Sequence, residues 1–352
     1  MASLKIPELV PSAAEDSQQL RKAFVGLGTD EARIIEILGH RNAAQRKLIR
    51  ETYQTTYEKD LLKDLDGEIS GDFQMWHSFS IFLNPHRITL GMLLLFNSAS
   101  AYNAIQMALQ RVVHLWTMDP AERDACLANE ATKHLPDNNC IIMEIACARP
   151  SDDLFKVRQT YHACYKKSLE EDISDHSTED FRKLLVPLVT AFRYEGDEVN
   201  MTLASNEAKI LHEKISDNAY SDEELIRILS IRSKTQLNAT FNQYNDQFGN
   251  AINKDLKSIP KDAYLKLLRS AIKCLTKPEK YFEKVLRLAM KGMGTNEESL
   301  TRVVATRAEI DMELIKERYY QRNSMPLDRV ISDDTSGGYE RMLLALIGHG
   351  DL

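Results

Sequence analysis

Apolar positions along the chain recur at helical spacing. In repeat-like segment 297–307, "EESLTRVVATR", Leu300, Val303 and Val304 fall on one face, and Leu314 and Ile315 fall on the next stripe. Strand-like alternation of β-branched residues is scarce, so an all-α fold is expected. Thr295 with Glu298, and Ser221 with Glu224, have the spacing of a capping box at a helix start. The most apolar run, "ITLGMLLLF" (88–96), is about half the ~20 apolar residues that a spanning helix needs. It is not expected to cross a membrane.

The same pattern returns four times. "ILGHR", "ACARP", "LSIRS" and "VATRA" carry Arg41, Arg149, Arg232 and Arg307. Twelve positions after each arginine stands a tyrosine: Tyr53, Tyr161, Tyr244 and Tyr319. Twenty positions on are Leu61, Leu169, Ile252 and Leu327, and twenty-four on are Leu65, Ile173, Leu256 and Ile331. Such periodicity marks a repeat array in which each unit buries its apolar face against its neighbours.

The arginines are separated by 108, 83 and 75 positions, so the first interval is too long. Repeat one starts its last helix with "ISGDFQ" (69–74), as "TSGGYE" (335–340) does in repeat four, and then breaks pattern. The pattern resumes at "RVVHLW" (111–116). Residues 75–110 therefore read as an insertion, without caps or clear periodicity, inside the last helix of repeat one. The expected organisation is a tail over 1–10, repeat one over 11–74 and 111–119, repeat two over 120–192, repeat three over 200–275 and repeat four over 278–348.

Composition narrows the partners. The chain has 352 residues and a formal net charge of −7. A net acidic protein gains little from direct attraction to nucleic acid or an anionic bilayer, so an anionic partner needs a bridging cation. The five cysteines are odd in number and none has CxxC spacing, which favours reduced thiols over disulfides or a zinc site. The first twenty residues lack a basic start and an apolar run, so no secretory signal is read.

Two glycine loops carry candidate chemistry: "VGLGTDEARI" (25–34) and "KGMGTNEESL" (291–300). A phosphate loop would need Gly-x-x-x-x-Gly-Lys-Ser/Thr, which is absent. A hard cation wants six to eight oxygens, mostly carbonyls with a carboxylate, and glycines let the chain turn carbonyls inward. Forty positions after Gly28 is Glu68, and forty after Gly294 is Asp334. In repeats two and three the glycine places hold Pro136 and Ala219, and the acid places hold His176 and Ile259. Loop and acid are kept or lost together, as a shared ligand set requires.

Gly-x-Gly-Thr, then 38 residues, then an acid, within four repeats of about 70 residues, resembles the annexins. "LWTMDPAERDACLANEATK", "RYEGDEVNMTLA" and "TRAEIDMELIKERYYQRNSMPLDR" are similar to plant annexins. The resemblance spans the chain outside 75–110. It implies five helices per repeat in a slightly curved disc, with Ca²⁺ bridging protein carbonyls to the phosphates of anionic phospholipid membranes. The implied ligands are the carbonyls of Phe24, Gly26 and Gly28 with the Glu68 carboxylate, and those of Met290, Gly292 and Gly294 with the Asp334 carboxylate. Leu27 and Met293, at the loop tips, are the implied membrane contacts.

The resemblance further implies a cytoplasmic protein, monomeric in solution and oligomeric on membranes. It would be recruited peripherally to the plasma membrane and endomembranes, with roles in trafficking, calcium signalling and abiotic stress. The alternative is an enzyme, a weak peroxidase or nucleotide phosphatase. His40, Cys147 and Cys274 match positions credited with redox roles in plant members. Their structural reading is a helix-terminus histidine and two small buried side chains. "DLDG" (64–67) is a fragment of a nucleotide site without its phosphate loop, and "IRI" (226–228) resembles a tripeptide proposed to bind F-actin.

Overall fold

A computed structural model describes residues 1–25, 29–67, 69, 90–135, 137–190, 192–257, 262–292 and 294–350. Within the helix that begins at Leu90, side chains are described from Tyr102 onward. Every regular element among the described residues is a helix, and the helices fall into groups of five.

Repeat one contains α1 (Ala13–Ala23), α2 (Glu31–Leu38), α3 (Ala43–Tyr57), α4 (61–67) and α5 (Leu90–Thr117). Repeat two contains α6 (Pro120–Thr132), α7 (Asn139–Ala148), α8 (Ser151–Tyr165), α9 (Leu169–His176) and α10 (Glu179–Thr190). Repeat three contains α11 (Met201–Ser216), α12 (Glu223–Ile231), α13 (Lys234–Phe248), α14 (Ile252–Asp255) and α15 (Ala263–Thr276). Repeat four contains α16 (Pro278–Ala289), α17 (Glu297–Arg307), α18 (Met312–Asn323), α19 (Leu327–Asp334) and α20 (Gly337–Leu346). The chain divides into two compact units: Met1–Pro120 with Phe282–Leu352, and Ala121–Tyr281.

The positions that define the repeats are core positions. The four tyrosines and the aliphatic residues twenty and twenty-four places after each arginine are all buried. Each arginine is held by an acid that the sequence pattern did not single out. Arg41 Nε and Nη2 donate to Asp16 at 2.7 and 2.8 Å. Arg149 makes the same fork with Asp124, and Arg232 Nε donates to Glu207 at 2.6 Å. In these three repeats the acid stands 25 places before its arginine, on the first helix of the repeat. Repeat four has Phe282 at that place. Arg307 lies 4.6 Å from the centre of that ring and pairs instead with Asp311, one turn on.

A second shared feature is a left-handed residue ending the third helix, seventeen places after each arginine. Glu58, Lys166, Gly249 and Ser324 have φ of 55°, 61°, 75° and 55°. Only one is a glycine, although side chains bear a cost of ~1–2 kcal/mol there. Ser324→Gly, at an exposed position, is therefore expected to stabilise the protein by about 0.5–1 kcal/mol after the glycine's extra chain entropy. A rise in thermal midpoint checks it.

In the unit that holds repeats one and four, Trp116 is fully buried. Its indole donates to Leu38 O at 2.7 Å, and the Arg46 guanidinium stacks on it at 3.6 Å. Arg46 also reaches Glu309 at 2.9 Å, and burial lowers its pKa from the ordinary arginine value.

Three sequence expectations change. Residues 75–89 lie outside the described residues, but α5 is already helical at Leu90 rather than resuming at Arg111. Ala108 and Leu109 are buried. Gln110 donates to Asp66 O at 3.3 Å, so the end of the segment supplies the first packed turns before Arg111. Neither capping box forms. α17 is capped by Asn296, whose side chain accepts from Ser299 N, and α12 by Asp222, which accepts from Glu224 N. In both helices the capping residue stands one place nearer the helix than the Thr295 or Ser221 of the expected box. Leu314 is exposed while Ile315 is buried, so the buried stripe of α18 runs through Met312, Ile315 and Tyr319 and passes Leu314 by.

Candidate functional site

The repeat-four loop is built between α16 and α17. Asn296 N donates to Ala289 O at 2.7 Å and closes the loop at its base. Gly292 and Gly294 have φ of 111° and 93°, where side chains are strained. A Cβ at either would meet nothing within 4 Å. These glycines are required by backbone direction, not by crowding. Thr295 Oγ1 donates to Asp334 O at 3.0 Å and ties the loop to the end of α19. The exposed Asp334 carboxylate has no hydrogen-bond or ion-pair partner among the described residues. Burial, then Glu283 and Asp334, push the nearby Tyr319 hydroxyl above the usual phenol range.

The repeat-one loop has the same base. Asp30 N donates to Ala23 O at 3.0 Å, and the Asp30 side chain caps α2 by accepting from Arg33 N at 3.0 Å. Phe24 is buried edge-on against Tyr53, while Val25 projects into solvent. Gly26, Leu27, Gly28, Glu68 and Met293 lie outside the described residues.

Repeats two and three close differently. The carbonyls equivalent to Ala23 O and Ala289 O are Ala131 O and Lys214 O. They accept from His134 N at 3.1 Å and Ala219 N at 2.8 Å. These closures span three and five residues instead of seven. His176, at the acid place of repeat two, turns its Nδ1 onto Asp172 O at 2.8 Å.

The remaining candidates are structural in their contacts. His40 follows α2 with its Nδ1 3.2 Å from Lys5 O. Asp64 of "DLDG" accepts from Tyr53 at 2.7 Å and Arg21 at 3.2 Å. Ile226 and Ile228 are buried, and Arg227 between them holds Glu224. Cys147 and Cys274 are buried. Burial pushes the Cys147 thiol up to about 12, against the opposing pull of Arg193 and Lys234. At pH 8 its thiolate fraction is then on the order of 10³-fold below that of a free thiol with pKa near 8.5. Alkylation mapped by mass spectrometry should modify exposed Cys164 fast and Cys147 at least ~100-fold more slowly.

No group of three or more His, Cys, Asp or Glu residues among the described residues could hold a metal. The repeat-four loop instead stands beside the Asp334 end of α19. No described helix is long and apolar enough to cross a membrane.

Comparison with known proteins agrees with the repeat structure. The Annexin family model matches residues 15–76, 123–188, 206–271 and 281–346. The chain is 56% identical to Annexin D2 of Arabidopsis thaliana over 352 residues, covering 100% of each. It is 56% identical to Annexin Gh1 of Gossypium hirsutum over 348 residues, covering 99% of each. Among solved structures it is similar to annexin III, with a TM-score of 0.82 and 29% identity over 99% of this chain and 98% of that one. The chain therefore belongs to the annexins, a family of calcium-dependent phospholipid-binding proteins.

Proposed function

We propose that this chain binds anionic phospholipid membranes in a calcium-dependent way through its repeat-one and repeat-four loops. The observation that carries the reading is the repeat-four loop: two glycines at positive φ, a seven-residue closure, and a threonine tying the loop to the backbone carbonyl of Asp334, whose own carboxylate is exposed and unpartnered among the described residues. This donor set fits a hard, oxygen-seeking cation. The carbonyls of Met290, Gly292 and Gly294 would hold the ion with the Asp334 carboxylate. The carbonyls of Phe24, Gly26 and Gly28 would do so with Glu68. Bound calcium supplies the positive charge that an acidic protein needs to meet a lipid phosphate. The chain's own work is to hold the oxygens in place and to present Leu27 and Met293 to the headgroup layer. Trafficking, calcium signalling and stress responses are settings for such recruitment.

Co-sedimentation with phosphatidylserine-containing vesicles tests this. Binding is expected with calcium and lost on adding a chelator, and binding that survives chelation unchanged overturns the calcium bridge.

A further inference from the structure

We infer that Glu31 and Gln106 couple the two candidate calcium loops, so that a cation in the repeat-one loop steadies the helix that follows the repeat-four carboxylate. The inference rests on the calcium reading above.

Glu31 is the first residue of α2, directly after the repeat-one loop. Its carboxylate lies against the first turn of α20, where a Cβ at Gly338 would meet Glu31 Oε2 at 2.6 Å. α20 begins three residues after Asp334, and its N-cap residue, Ser336, makes no side-chain capping bond. A carboxylate at that place favours the free amides and positive end of a helix. Arg341, one turn along α20, has its Nη2 4.0 Å from Glu31 Oε2.

Gln106 holds that carboxylate in place. Its Nε2 donates to Glu31 Oε1 at 2.8 Å. In doing so it leaves its own Oε1 buried without a hydrogen-bond partner among the described residues. A carboxylate can only accept, so the amide must present its nitrogen and forgo a bond for its oxygen. Neighbouring residues of the same helix fit the glycines of α20: Ile105 Cγ2 lies 3.6 Å from where a Cβ of Gly337 would be, and Leu109 Cδ2 lies 2.6 Å from that of Gly338. Gly337 has a positive φ of 68°. A contiguous path thus runs from the repeat-one loop through Glu31 to the backbone just after Asp334, braced by the 105–109 turn of α5.

A cation held on the repeat-one side of Glu31 then restricts the first turn of α20 through that carboxylate, a coupling carried by restricted motion. The test uses Asp334→Asn, which weakens the repeat-four site, at calcium too low to fill that weakened site, with phosphatidylserine vesicles, read by amide hydrogen exchange. Calcium should slow exchange over 29–38, the repeat-one side, and also over 337–341 by at least ~5-fold. Adding Glu31→Gln and Gln106→Met, both close in shape to the originals, should preserve the protection at 29–38 and abolish that at 337–341. Protection confined to 29–38 before those changes, or persisting at 337–341 after them, overturns the coupling alone. Absence of calcium protection at both segments overturns the repeat-one calcium site and the coupling with it.

Discussion

Asp334→Asn raises the calcium concentration for half-maximal vesicle binding by about tenfold or more. Asparagine keeps the shape and one carbonyl oxygen but removes the only side-chain charge in the repeat-four donor set. Charge-assisted contacts contribute ~1.5–3 kcal/mol, and each 1.4 kcal/mol is a factor of ten in affinity. Folding should change by less than ~0.5 kcal/mol, because the carboxylate is exposed and unpartnered among the described residues. Asp333→Asn is the control. Asp333 is the adjacent acid and lies 4.0 Å from Arg329 across an exposed pair. Its loss should leave the calcium midpoint in place. An unshifted midpoint in Asp334→Asn, or equal shifts in both variants, sinks the ligand assignment.

Arg41→Ala is expected to destabilise the protein by ~3–5 kcal/mol in urea unfolding. The substitution strands the Asp16 carboxylate, which is buried with its two oxygens both facing the guanidinium. An uncompensated buried charge accounts for most of that cost. The double substitution Asp16→Leu with Arg41→Met should recover much of it, since a buried pair often contributes little over well-packed apolar residues. Repeat four supports this expectation. It has Phe282 in place of the acid, and its arginine finds Asp311 instead. If Arg41→Ala and the double variant unfold at the same midpoint, the pair is not what holds that end of the repeat.

Much of this was legible before any coordinates. The tyrosine and aliphatic places after each arginine repeat because each falls on a face that must be buried in every unit. The candidate loop of repeat four was legible because φ near 100°, as at Gly292 and Gly294, favours glycine far more than the ordinary left-handed region does, and glycine leaves a mark in the sequence. The left-handed cap of the third helix was not legible, since Glu58, Lys166 and Ser324 adopt that backbone without being glycine. The acids holding the arginines were also missed: Asp16, Asp124 and Glu207 lie 25 places back among many exposed carboxylates, and burial alone sets them apart.

Thr295 shows where local reasoning fails. Its spacing to Glu298 suits a capping box, but its hydroxyl donates to a carbonyl 39 residues away. The end of the 75–110 segment shows the same limit. "MALQ" has no evident kinship with "GDFQ", yet Leu109 reaches the buried ground beside Gly338, and Gln106 and Gln110 reach Glu31 and Asp66. Periodic burial and obligatory glycines act over a few residues, so the sequence by itself determined the helical repeats and marked the two glycine loops. Which carboxylate meets which arginine, which hydroxyl ties a loop and which segment fills a helix depend on distances between residues far apart in the chain. Only the tertiary structure decided those, because the hydrogen bonds and close contacts concerned exist only once the helices have packed.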